Sequence, residues 1–250
     1  MHCNGMPGPA FWAIVLTAAL LLTATIAGYL SGDSLDTISD MITRSPRLRN
    51  AFAMFVGVIV VCQGFYVYEM HKHWTQRAAL YKTHNKLRGT TAIIALGYLA
   101  SFGGSVGFAV VSTDIDESEH VTYAGTAFAG IYVFLLAFTY LAYYYQKGNG
   151  ARGEHGKAAY WPFLAGISLT IPVIALIVYA VSDAMGEPFS RDYDYVWEFI
   201  FVACMLVASL CLYIESQDKL QGDRKYTPVK LFGWLTMHDA DVRGRTGISV

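Results

Sequence analysis

The 250 residues are 54% hydrophobic and only 15% charged, with a formal net charge of -1 and a mean hydropathy of +0.37. Soluble domains carry about 25% charged residues, so this balance excludes a soluble domain of this size. The apolar residues are not dispersed. They gather into six runs, roughly 11–30, 51–69, 91–112, 122–145, 161–182 and 196–214, each near the length that crosses a bilayer as a helix. The expected fold is therefore all-α: a polytopic bundle of six transmembrane helices over residues 1–215, followed by a tail over 216–250.

In chain order, the first run has no Lys or Arg before it and is too long for a signal-peptide core, so it reads as a retained helix. The loop after it reads "LDTISDMITRSPRLRNAF". Span 2 carries Gln63 at depth, where an amide is expected to hydrogen-bond a neighbouring helix. The next loop, "EMHKHWTQRAALYKTHNKLRG", mixes Lys72, Arg77, Lys82, Lys86 and Arg88 with Trp74, Leu80 and Tyr81. That mixture predicts a helical extension of span 2 lying against anionic headgroups, with a solvated basic loop as the alternative.

Span 3, "ALGYLASFGGSVGFAVVS", sets Gly103 and Gly107 four apart, and also Ala100 and Gly104. Span 4 offers Gly125 and Ala129 at the same spacing. Small residues four apart let helix backbones approach, so helices 3 and 4 are expected to pack closely through Gly103, Gly107 and Gly125. Between them lies "STDIDESEH", with Asp114, Asp116, Glu117 and Glu119 ahead of His120. Dense carboxylates suggest a divalent cation or the Asp-x-Asp of a sugar transferase. A transferase needs a folded domain with a nucleotide pocket, and the short loops leave no room for one. The preferred reading is a solvated polar cap on the hairpin, and no metal ligand set or cofactor is expected.

Pro162 opens span 5, and Pro172 is expected to kink it. Span 6 begins "YVWEFIF", placing Glu198 one turn inside the boundary, where it either snorkels to water or faces a polar cavity. The seven histidines fall outside the six runs, which argues against bundle-ligated haem. The four cysteines offer no disulfide framework, and no Asn-x-Ser/Thr site is present. The tail segment "KYTPVKLFGWLTM" reads equally as interfacial or as solvated.

Orientation follows from charge. Of the 18 Lys and Arg residues, 14 fall in the second and fourth loops and the tail, and four in the other loops. That bias predicts cytoplasmic termini.

Three stretches resemble the Frag1/DRAM/Sfk1 family. Ile38-Ser39-Asp40, with Pro46 beyond, is similar to the Ile-Ser-Asp…Pro signature of that family's first outer loop. The text from Asn85 through His120 and Gly125 resembles its third helix, short loop ending in His, and glycine-containing fourth helix. "VWEFIFVACMLVASLCLYIESQDKL" resembles its last helix, with Glu198 at the outer acidic position. The chain departs from the family pattern at Met41-Ile42 and Pro46-Arg47.

The resemblance implies a six-helix membrane protein with cytoplasmic termini. It further implies a non-enzymatic regulator or adaptor of lipid homeostasis or autophagy, in the endomembranes (lysosome, Golgi or ER) or the plasma membrane. Two alternatives stay open: an enzyme or accessory factor of GPI-anchor-type lipid remodelling, and a small-molecule transporter or channel. Asp40, His120 and Glu198 form the candidate outer-face polar site. The expected partners are membrane lipids, including anionic headgroups on the cytoplasmic side, and a protein partner; no nucleic-acid partner is expected.

Overall fold

The computed structural model describes residues 9–31, 46–81, 84–111, 116–149, 160–185 and 194–222. The regular structure there is entirely helical: α1 Pro9–Ser31, α2 Pro46–Tyr81, α3 His84–Val110, α4 Glu117–Asn149, α5 Tyr160–Ala184 and α6 Asp194–Gly222. In hydrocarbon every backbone polar group needs an internal partner, and a helix supplies one without leaving its own segment. Five of these helices, α2 to α6, contain described stretches long and apolar enough to cross a membrane; in α1 the described apolar stretch is Ala10–Ala19. Threonine hydroxyls inside the spans turn back onto their own helix, as Thr139 Oγ1 does in donating to Leu135 C=O at 2.8 Å, so they leave no unsatisfied donor in an apolar surrounding.

Helix ends follow local chemistry. Pro46 opens α2 at a position where the missing N–H costs nothing. Asp116 caps α4: its Oδ1 accepts the Glu119 N–H at 2.9 Å, and its C=O accepts the His120 N–H at 3.0 Å. The acidic loop thus holds a helix N-cap, where a short carboxylate satisfies an orphan donor and favours the positive end of the helix dipole. Asp116 and Glu119 are exposed, in keeping with a solvated cap; Asp114 and the Glu117 side chain lie outside the described residues.

Consecutive helices pack on one another, α3 on α4 most extensively, and α1 closes against α6. α4 also reaches α2 and α6. Phe11 near the start of α1 meets Tyr213 near the end of α6, with ring centroids 6.2 Å apart. Both helices therefore present those ends to one end of the bundle, called here the terminal end; the opposite end is the loop end. The densest core lies toward the terminal end, built from Met70, Trp74, Leu87, Phe138, Leu141 and Leu212. Glu69 joins it there, its carboxylate meeting the Ala10 backbone N–H at the start of α1. Large apolar side chains such as Leu96, Leu99, Ile174 and Leu176 point outward instead. In water such a surface marks an interaction site; on a bundle of membrane length it meets lipid.

The α3–α4 contact corrects the glycine register. A Cβ on Gly104 would fall against the Ala127 backbone N and, at 2.7 Å, the Tyr123 carbonyl oxygen; one on Gly130 would fall against the Ser101 backbone N. Gly97 faces the Gly130 carbonyl oxygen, at 3.0 Å from its would-be Cβ. The close approach therefore runs through Gly97, Ser101, Gly104, Ala127 and Gly130. Gly107 belongs to the contact too, with the Tyr123 ring in the space a Cβ would need. Gly103 and Gly125 do not: a Cβ on either meets nothing within 4 Å, and both are exposed. Gly103 and Gly104 stand about 100° apart around the helix, so only one of the two can face α4.

The second loop is also corrected in part. α2 does continue helically through His71 to Tyr81. Trp74, however, does not lie among headgroups; it is fully buried in the core with Met70. Lys72 is half-buried and Arg88 exposed, while the side chains of Arg77 and Lys86, and all of Lys82, lie outside the described residues. His71 Nε2 meets Thr91 Oγ1 at 2.9 Å, and that hydroxyl donates to Leu87 C=O at 2.8 Å, so the imidazole donates and ties α2 to α3. His71, His73 and His120 all fall inside the apolar stretches of these helices, so the histidines are not confined to loops.

Candidate functional site

The dense core does not extend through the whole bundle. Toward the loop end it gives way to a cavity of about 170 Å³, walled by α1, α2, α3, α4 and α6. Small side chains make the space: Ala13 on α1, Ser105 on α3, and Ala124 and Ala127 on α4. Tyr66, Phe134 and Met205, all buried members of the core, bound it toward the terminal end. Along α6 the lining runs from Glu198 to Ser209, about 16 Å of axis at the usual helical rise. An apolar cavity of roughly 150 Å³ is enough to hold a benzene-sized guest. This one is long relative to its volume, a shape that suits one extended chain better than a globular ligand.

Most of the lining is aliphatic or aromatic, and its polar groups are few. Three hydroxyls are already committed to backbone carbonyls. Thr17 Oγ1 donates to Ala13 at 2.8 Å, Ser209 Oγ to Met205 at 2.8 Å, and Tyr66 Oη across to Ser209 at 3.3 Å. Gln63, at mid-span, accepts at Oε1 from Ser101 Oγ at 3.4 Å, which is the interhelical hydrogen bond expected of it. Glu198 lines the loop-end part of the cavity, half-buried. The space it borders is mostly apolar rather than the polar cavity of the sequence reading.

Of the other two candidate residues, Asp40 lies outside the described residues. His120 is buried, at 5% exposure, but it does not line the cavity. Its Nδ1 meets Val111 C=O at 2.6 Å. A carbonyl only accepts, so Nδ1 carries the proton and the imidazole pins the first turn of α4 to the end of α3. Its Nε2 is buried and has no hydrogen-bond partner among the described residues. The ring packs on Phe108, with centroids 4.6 Å apart. Phe108 also packs on Phe52 at 5.5 Å, and both phenylalanines line the cavity. His120 thus stands behind the wall that Glu198 helps to form. Sequence reasoning did not single out Ser105, Phe108 or Ala124 as site residues. None carries a chemical signature alone, and only the packing of five helices makes them a wall.

Among the described residues no three His, Cys, Asp or Glu side chains converge as a metal-ligand set. Cys62, Cys204 and Cys211 are free and do not line the cavity. The arrangement is that of a ligand pocket: mostly apolar walls with a small number of placed polar groups.

The profile of the Frag1/DRAM/Sfk1/Cwh43P N-terminal domain matches residues 5–219 of the chain. Comparison with curated proteins and with solved structures returned no match. The matched range takes in α1 to α5 and all but the last three residues of α6, together with the loop bearing Ile38-Ser39-Asp40. The chain is a multi-pass membrane protein and belongs to the Frag1/DRAM/Sfk1 family.

Proposed function

We propose that this protein is a non-enzymatic regulator or adaptor in lipid homeostasis or autophagy, and that it responds to a lipid chain held in the loop-end cavity. The observation that carries the reading is the cavity itself. A close-packed bundle leaves few voids larger than a water molecule, yet five helices here leave a space of about 170 Å³ lined almost wholly by apolar side chains. Family membership supports the membrane setting. The charge bias supports six spans with cytoplasmic termini, and it gives the basic second loop, Lys72 and Arg88 included, anionic headgroups as partners.

A lipid-remodelling role has one favourable observation, the carboxylate of Glu198 on the cavity wall. It lacks a nucleophile and base in contact with one another among the described lining residues, so binding is the better reading.

The test is native mass spectrometry of the protein released from mild detergent. The unaltered chain is expected to retain a lipid adduct. Ala124→Leu adds three heavy atoms to the cavity wall and should abolish the adduct while the protein stays monodisperse. An unaltered chain without adduct, or an Ala124→Leu variant with the same adduct, contradicts the reading.

A further inference from the structure

The hydroxyls on the cavity wall are of two kinds. Those of Thr17, Tyr66 and Ser209 donate to backbone carbonyls, so the protein itself satisfies them. Ser105 differs. It is 8% exposed and lines the cavity, yet its hydroxyl makes no hydrogen bond among the described residues. Gln63 is half-committed: its carbonyl oxygen accepts from Ser101, while its amide nitrogen donates to none of the described residues. Buried polar groups are overwhelmingly paired. Two that are left over beside the same void are hydrogen-bonding positions for whatever fills it.

Chemistry and depth narrow the ligand. An amide nitrogen only donates, and a serine hydroxyl donates as readily as it accepts, so one acceptor oxygen with two lone pairs satisfies both. Gln63 bonds at the level of Ser101, and Ser105 lies four residues on, about 6 Å of helical rise. An oxygen midway is about 3 Å from either level, the reach of a hydrogen bond. Two neutral donors suit a neutral carbonyl; a full charge at this depth needs an opposite charge beside it, and neither residue supplies one. Gln63 stands near the middle of the 24-residue apolar stretch Phe52–Thr75, about 16 Å from its loop-side edge. The ester groups of a bilayer phospholipid stay in the interfacial layer, outside the hydrocarbon core. An oxygen bonded here therefore has hydrocarbon on both sides, against Val56 and Phe108 toward the loop end and Phe134 and Met205 toward the terminal end.

We infer that the cavity selects a neutral lipid chain bearing a carbonyl, as a ketone or an ester, along its length, and that Gln63 and Ser105 together donate to that oxygen. The inference rests on the lipid-binding reading above and adds the chemical class of the chain and the two residues that recognise it.

Two photoprobes of equal chain length test this, each with a diazirine near one end. One carries a mid-chain ketone and the other a methylene in its place. Both would be offered to the intact detergent-purified protein, and labelled peptides mapped by mass spectrometry. The ketone should label the cavity-lining peptides of α4 and α6 about tenfold more than the methylene chain, the yield of two neutral hydrogen bonds of ordinary net strength. Ser105→Ala, a small change in a site with room, should cut that preference about threefold, and Gln63→Leu should do the same. Labelling by the methylene chain should be unchanged in both variants, which shows that the cavity still forms. If Gln63→Leu does not fold, Ser105→Ala decides alone. Equal labelling by the two probes in the unaltered protein, as when a retained water satisfies both donors, overturns the carbonyl inference while leaving the cavity a lipid site. A ketone preference unmoved by Ser105→Ala overturns it too. No labelling of the lining by either probe overturns the lipid-binding reading with it.

Discussion

Adjacent residues with the same side chain do opposite things in α3. Gly104 brings α3 against the backbone of α4, and Gly103 meets nothing within 4 Å. The spacing rule could not separate them: Gly103 with Gly107 and Ala100 with Gly104 satisfy it equally. What decides is the rotation of the helix about its axis, which the partner helix sets. Gly104→Leu should destabilise the protein by about 3 kcal/mol or more, because the obstacle is backbone that cannot move aside. Gly103→Leu should lie within about 0.5 kcal/mol of the unaltered protein. Thermal unfolding in detergent reads both, and a larger loss for Gly103→Leu would contradict the assigned register. Asp116 shows the same limit in another form. Its place in an acidic run was plain, but its work as the α4 cap depends on where the helix begins. His120 was legible as a residue of interest; its bond to Val111 C=O was not, because it depends on how the hairpin closes.

At the scale of the helix, the apolar runs were readable because bilayer thickness sets a length that sequence must meet. The ends of α2 and α4 were less so. α2 has 36 residues, about 54 Å at helical rise, well beyond a hydrocarbon core of roughly 30 Å. The extension reads as interfacial from composition alone, since basic and aromatic residues alternate along it. In three dimensions Met70, His73 and Trp74 occupy one buried face, spaced three and four apart as a helix stripe requires. Lys72 and Thr75 fall outside that stripe, half-buried and exposed. Trp74 is thus part of the core against α3, α4 and α6. Trp74→Ala should cost about 3–5 kcal/mol, the range for a large aromatic removed from a packed interior. A headgroup anchor would lose far less. Thermal unfolding of the variant in detergent decides between the two, and a shift of only a degree or so would return Trp74 to the interface.

Over the whole molecule, packing is uneven in a way no single span foretold. The terminal end is filled by large side chains from α2 to α6, with Ala10 of α1 among them, and the loop end keeps a cavity where a few small side chains interrupt an aliphatic and aromatic wall. Each wall residue is unremarkable in its own span, and the void is a property of their assembly. The charge bias sets the expected orientation of this asymmetric bundle. Glycosylation acceptors engineered into the loop between α3 and α4, and separately into the segment after α6, should be modified only in the former. Modification after α6 alone would invert the bundle and place the cavity toward the cytoplasmic leaflet.

The central claim is that the loop-end cavity is a lipid site. A density map of the protein in lipid nanodiscs tests it most directly. The account predicts an elongated density between α1, α2, α4 and α6, with one end beside Glu198 and Ser105 and the other against Phe134 and Met205. A map in which Phe52, Phe108 and Phe128 close on one another and fill that space, with no density left between the helices, would contradict it.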